Sequence, residues 1–452
     1  MNIDEVFNIS CMVLLAILGL LAVLQIRFNV IVFLAYNLTL VYVGLCLLAT
    51  DGVTSWQIAH EYGIGVLGLI LGYAASNRYL LLRQQRDRAP SIRSTFSDSS
   101  VMAVVVTAGT LGMYHLVVGG IPIFSSSIEV ERFDFTSSGF FGIPGRMFLF
   151  GIPIAWILAS VNAKILGVEW RNYRPWQLAT GFYILSALLS GFKSGMLAML
   201  FTMLITYFLV NPTPVRIGVF ARKYWWLTVL PVVYGLFVAT TYATYQNTNV
   251  PLWRQLLNRV TVVGAQPAQF ALEGRPQWYM PNGLLNDVFY YAKKYFGGDT
   301  SFAYSFERAI SAEIIGADPS SSAWTTPVTI GGYSELVFSL GTVSAVLAMI
   351  LVGAWVAFAH HATYRSSLSL LISAVVAYGL YNWLLKGGLV YYVLNLGAIC
   401  VMLGFVAIIG KLGEKDSALS SPTVGLGRLP SEPKTHGVKA FKGNAPFSES
   451  AF

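Results

Sequence analysis

The sequence predicts an all-helical, polytopic integral membrane protein, and three observations carry that prediction. Hydrophobic residues make up 55% of the 452 positions and charged residues 11%, at a mean hydropathy of +0.62. A soluble globular chain carries about 25% charged residues. Apolar runs of about 20 residues, the length that spans the hydrocarbon core as a helix, recur along the chain. The one long polar interruption, residues 246–331, lies between two such runs.

Eleven segments qualify as spans: residues 7–26, 28–50, 62–82, 101–120, 147–163, 175–191, 194–210, 224–245, 332–359, 367–385 and 389–410. The first is flanked by acidic residues and lacks a basic leader or a small-residue cleavage site, so it reads as a retained helix. Cys11, Cys46 and Cys400 fall inside apolar runs without metal-ligand spacing and read as small core residues. Most of the 29 lysines and arginines fall on one face, including Arg83 to Arg93 and the C-terminal tail. That asymmetry makes this face cytoplasmic and places the long polar loop outside. The pI of about 9.2 then reflects topology and not nucleic-acid binding. Residues 1–411 form the transmembrane domain, with outer loops at 120–146 and 246–331. Residues 412–452, rich in Ser, Pro, Gly and Lys, read as a disordered cytoplasmic tail. No internal repeat of the transporter kind is visible.

The long loop carries three amphipathic helical patterns. Pro251 opens the first, with Trp253, Leu256, Leu257, Val260 and Gly264 on one face, Arg254 opposite and Arg259 at the edge. The second runs from about Asn282 to Gly297, with Lys293 and Lys294 in its last turn. The third runs from Ser301 to about Gly316, and Glu313 falls in its apolar face. A hydroxyl-rich stretch containing Trp324 follows. Such helices suit a loop folded down onto the membrane surface. A structural cap over the bundle is the plainer reading of the same pattern.

In the shorter loop, Glu129, Glu131, Arg132 and Asp134 crowd into six positions, and a solvated turn accounts for them. Lys193, in Ser190-Gly-Phe-Lys-Ser-Gly195, joins two spans with no room for a loop. It sits at the outer boundary or points into the bundle, where ionisable residues are costly and usually functional. Lys386 is placed the same way. Glu335, in Gly-Gly-Tyr333-Ser-Glu-Leu, enters the ninth span from the same side.

Outside the cytoplasm a transferase has no nucleotide sugar and draws on a lipid-linked diphosphate donor. Cations such as Arg259, Arg254, Arg275, Lys193 and Lys386 suit the departing diphosphate. A carboxylate, Glu335 before Glu313, suits proton removal from a sugar hydroxyl. Trp253, Trp324 and Tyr333 offer flat faces for sugar rings. No DxD-type pair, histidine cluster, P-loop or nucleophile elbow occurs, so metal, nucleotide and serine-hydrolase chemistry are unsupported and no cofactor is expected.

Four segments, in order, carry a family likeness: Gly120-Ile-Pro-Ile-Phe; Ser190-Gly-Phe-Lys-Ser-Gly195; Asn258-Arg-Val; and Gly332-Tyr-Ser-Glu-Leu-Val-Phe-Ser-Leu-Gly341. With the span layout they resemble the bacterial O-antigen and oligosaccharide-repeat-unit polymerases (the Wzy family). The resemblance implies a glycosyltransferase of the inner membrane that joins undecaprenyl-diphosphate-linked repeats in the periplasm. It implies no nucleic acid, and a chain-length regulator and a flippase of the same pathway as partners. By that resemblance Lys193, Arg259 and Arg132 contact the diphosphate or glycan. The family's paired Arg-x10-Gly loops are each one residue short here, at Arg132 to Gly142 and Arg254 to Gly264. An O-antigen ligase, a lipid-linked oligosaccharide flippase or other transporter, and a non-catalytic scaffold are the rival readings.

Overall fold

The computed structural model describes residues 30–84, 96–124, 142–190, 195–210, 262–275, 283–296, 305–316, 328–361 and 367–420. All regular structure among them is helical. In chain order the helices are α1 (Val30–Thr50), α2 (Trp56–Gln84), α3 (Asp98–Gly119), α4 (Ile143–Ile165), α5 (Arg174–Leu189), α6 (Gly195–Val210), α7 (Val262–Leu272), α8 (Gly283–Phe296), α9 (Phe306–Ile315), α10 (Gly332–Leu340), α11 (Thr342–His361), α12 (Ser367–Lys386) and α13 (Leu389–Ser420). Seven of them, α1 to α4 and α11 to α13, are long and apolar enough to cross a membrane. The apolar helix α6 is 16 residues long, and α5 matches it in length. The predicted spans at 7–26 and 224–245 lie outside the described residues.

Two sequence expectations change. The ninth span is not one helix: Gly341, at φ 78°, ends α10 and lets the chain turn before α11 begins. Only glycine takes that conformation cheaply, so Glu335 belongs to a short separate helix and not to a span. The final helix also continues to Ser420, past the predicted boundary at 411. The segment Leu412-Gly-Glu-Lys-Asp-Ser-Ala-Leu contains enough good helix formers to prolong an existing helix, because propagation is far easier than nucleation.

Interior packing rests on small residues, as expected where lipid removes most of the hydrophobic drive between helices. Helices α2 and α11 run parallel in intimate contact. A Cβ on Gly72 would stand 2.1 Å from the Ile350 carbonyl oxygen, and one on Gly353 2.1 Å from that of Leu69. At one end of this pair Tyr333 Oη donates to the Glu61 carbonyl at 3.0 Å, and Thr342 Oγ1 bonds the Glu61 carboxylate. At the other end His361 meets Asn77.

The two ends of the bundle differ in character. One is tied by Ser100 Oγ to Ala407 O (2.8 Å), Phe96 N to Asn162 Oδ1 (3.1 Å) and Tyr173 Oη to Asp98 (2.8 Å). The other gathers the helices of the long polar loop. There α7 packs on α1, with Gln269 Nε2 donating to Val53 O at 3.3 Å. Helices α8 and α9 pack on each other, and α10 contacts α7, α8 and α12. The predicted second and third loop helices appear as α8 and α9. Of the first, residues 251–261 lie outside the described residues.

Enlarging Gly72 tests the α2–α11 contact. Gly72→Leu should prevent accumulation of folded protein or lower its melting point sharply, beyond the roughly 1–3 kcal/mol usual for overpacking, because backbone cannot yield as a side chain can. Gly181→Leu, at a site with nothing within 4 Å, should leave the melting curve unchanged. Thermal melts of detergent-extracted protein make the comparison.

Candidate functional site

The end of the bundle that receives the loop helices holds a buried group of acids. Glu335 is 1% exposed. Its Oε2 accepts the Trp383 indole N–H at 2.8 Å, and Oε1 and Oε2 accept the Leu389 backbone N–H at 3.0 and 3.2 Å. Leu389 is the first residue of α13, so the Glu335 carboxylate caps that helix from another element and meets the positive end of its dipole. Trp383 belongs to the last turn of α12. One side chain on α10 therefore grips both helices of the final hairpin.

The hairpin turn itself is Gly387-Gly388, at φ 82° and 74°. Neither position has room for a side chain: a Cβ on Gly388 would stand 2.1 Å from Glu307 Oε1. That contact locates the second acid. Glu307, in the first turn of α9, is buried, and its Oε2 has no hydrogen-bond partner among the described residues. Asp287 of α8 is fully buried, and its Oδ1 accepts the Phe306 N–H at 2.9 Å, capping α9 in turn.

Helix α10 is too short to cross a membrane. Burial pushes the Glu335 carboxyl well above its ordinary 4.5, Glu307 and Asp287 push it further, and the Trp383 and Leu389 donors oppose the rise. Burial also raises Glu307, against its own backbone N–H, the Ser305 hydroxyl and the Arg308 guanidinium. Negative charge on Glu307 and Asp287 thus disfavours ionisation of Glu335, the most strongly opposed of the group.

Tyrosines line the space beside the acids. The ring of Tyr291 (α8) lies 5.8 Å from that of Tyr391 (α13), which lies 5.5 Å from Tyr392 and 5.7 Å from Phe150. One turn deeper along α13, Asn395 Nδ2 donates to the Tyr391 carbonyl at 2.7 Å, and Asn395 Oδ1 accepts from Arg146 Nε at 2.7 Å. A half-buried arginine therefore stands at the base of the tyrosine wall.

The sequence-predicted residues distribute as follows. Glu335 is buried at the centre, and Lys386, half-buried, is three residues from Trp383 with its carbonyl accepting from Ile330 N at 3.1 Å. Glu335 and Lys386 form no ion pair among the described residues; the partners of Glu335 are Trp383 and Leu389. Tyr333, two residues from Glu335 and so on the opposite side of α10, is buried against α2 and is not part of the acid group. Glu313 lies half-buried in the last turn of α9, and the acid on that helix's buried side is Glu307. Arg275 is exposed, 3.4 Å from Glu273 and over the Phe270 ring. Lys193, Arg132, Arg254, Arg259, Trp253 and Trp324 lie outside the described residues. Sequence reasoning did not single out Glu307, Asp287, Arg146 or Asn395. The one available signal was Asn395 within the last apolar run. Among the described residues no group of three His, Cys, Asp or Glu side chains has metal-binding geometry.

Comparison with protein-family models, curated proteins and solved structures returns no match. The site's chemistry must therefore be argued from its own groups.

The raised carboxyls give stability a definite pH dependence. A group whose folded value exceeds its unfolded one stabilises most below the unfolded value, and the contribution is lost as pH rises through the folded value. The wild-type melting point should fall as pH rises from about the ordinary 4.5 through the raised values of Glu335 and Glu307. The double variant Glu335→Gln/Glu307→Gln should flatten that fall. Parallel melting curves for the two proteins across this range would count against raised values at these two carboxyls.

Proposed function

We propose that this protein is a membrane glycosyltransferase that polymerises lipid-diphosphate-linked oligosaccharide repeats into a surface polysaccharide. The observation that carries the reading is the buried Glu335–Glu307 pair, one of whose oxygens lacks a partner, at the end of the bundle where the long loop's helices gather. A carboxylate with a raised pKa is poised to accept the proton of a sugar hydroxyl near neutral pH. Tyr291 and Tyr391 supply faces against which a sugar can pack.

In this mechanism the acceptor hydroxyl gives its proton to the carboxylate as its oxygen attacks the anomeric carbon of the donor sugar. The bond from that carbon to the lipid diphosphate breaks, and the diphosphate leaves with the electron pair. Glu335, held by Trp383 and Leu389, fixes the geometry, and the Glu307 oxygen receives the proton. Arg308, whose charge acts on Glu307, joins Arg146 and Lys386 among the described cations at this end of the bundle that can stabilise the leaving group. Lys193, Arg259 and Arg132 join them by the family resemblance. The lysine and arginine bias supports an extracytoplasmic position for this end of the bundle; by the family resemblance that is the periplasmic side of a bacterial inner membrane, where lipid-linked repeats would be joined.

Replacement at the native gene locus tests the reading. Glu307→Gln keeps the shape but cannot take the proton, and it should cut chain extension on the order of a hundredfold or more. Glu335→Gln, at the residue that fixes the geometry, should cut it less. Single-repeat glycans should persist on the surface. Arg146→Ala should cost about as much as Glu307→Gln, and Arg146→Lys less. Surface glycan length is read on gels and protein level by blot. Ordinary long chains from both glutamine variants would refute the mechanism. Loss of even the single repeat would favour a flippase or a ligase.

A further inference from the structure

We propose that the apolar groove between α12 and α13 holds the hydrocarbon chain of a lipid-linked substrate, with the polar head at the Glu335–Glu307 site. The groove has a volume of about 510 Å³ and is walled by α12 and α13 and floored by α3 and α4. It runs from Phe96 and Ala407 at one end of the bundle to Trp383, Leu389 and Tyr392 at the other. Trp383 and Leu389 are the two residues that bind the Glu335 carboxylate. Trp383 and Leu389 therefore stand between the groove and the acids, and a chain that ends at this end of the groove lies one side chain away from the Glu335 carboxylate.

Dimensions select the occupant. From Leu368 to Trp383 the groove follows about 22 Å of helix at 1.5 Å per residue, most of the roughly 30 Å hydrocarbon thickness. A volume of about 510 Å³ spread over that length is a long, shallow groove with space for one hydrocarbon chain lying along it. Its lining is almost wholly apolar, which suits a chain and excludes a glycan or a water path. The slot is also kept open by composition. Gly397 and Gly404, seven residues apart on one side of α13, line it, and a Cβ on either would meet nothing within 4 Å. Cys400 between them is likewise small.

The inference rests on the reading of the acid site as one that acts on lipid-linked substrates, so the test separates the two. Purified protein in nanodiscs of ordinary phospholipid is challenged with undecaprenyl diphosphate carrying no sugar, and retained lipid is counted by native mass spectrometry. Gly397→Trp fills the slot from a position with free space around it. It should weaken retention several-fold, because the indole takes the space of the chain and removes its packing contacts. Gly404→Trp, two turns further along, should do the same. Leu347→Trp, on the exposed side of α11, should not. Glu335→Gln should retain the lipid; wild-type protein that binds the probe but extends no chain from lipid-linked repeats would overturn the transferase reading and leave the groove intact. Equal retention by wild type, Gly397→Trp and Gly404→Trp would overturn the groove proposal, as would displacement of the probe by phospholipid at equal concentration, which would make the slot part of the ordinary lipid annulus.

Discussion

The Glu335 carboxylate is the constraint on which the rest of this end of the molecule depends. It is buried on a nine-residue helix and accepts from the last turn of α12 and from the first residue of α13. Those two bonds orient α10, and through α10 they orient what packs on it. Tyr333, on the far side of the same helix, locks into α2 through Glu61, and Gly341 hands the chain to α11. A buried carboxylate without donors would be untenable. With an indole N–H and a helix N-terminus it becomes a fixed point between three helices.

What makes that arrangement unusual is the company it keeps. A purely structural cap would be best served by removing nearby negative charge. Here Glu307 and Asp287 are set close by, and Gly388 leaves room for Glu307 where any side chain would collide with it. The cluster destabilises the folded protein at neutral pH, and local rules broken in this way point to function more often than to accident. The same residues that hold Glu335 also close one end of a chain-sized apolar slot. Polar chemistry and lipid-facing surface thus meet along Trp383, Leu389 and Tyr392.

Much of the span pattern was legible in the sequence, because hydropathy over about 20 residues is a strong signal: α1 to α4, α12 and the start of α13 fall close to where it placed them. Helices α8 and α9 were legible from their periodicity. Gly341 was not, since a single glycine between two apolar runs leaves hydropathy unchanged while its backbone conformation ends the helix. Glu307 was missed for a different reason. Phe306, Glu307, Ala309, Ile310, Ser311 and Ala312 are all buried, so α9 is enclosed on most sides by elements distant in sequence. Periodicity then cannot tell which acid faces inward, and it pointed to Glu313. Arg146 and Asn395 meet across 249 positions, a pairing that no local pattern encodes. Glu335 itself was legible as an acid in an apolar setting, although its partners, an indole and a backbone amide, were not.

A double-mutant cycle between Glu335 and Trp383 measures the central interaction directly. Glu335→Leu, which removes the acceptor, Trp383→Phe and the combined variant are compared with wild type by chemical unfolding in one detergent at one pH. A hydrogen bond to a charged, buried group is worth about 1.5–3 kcal/mol, and residues in such contact show coupling of that order. The account predicts coupling in that range, with the combined variant less destabilised than the sum of the two single ones. Strict additivity would mean that the indole and the carboxylate do not interact, and the fixed point at the head of α12 and α13 would be lost.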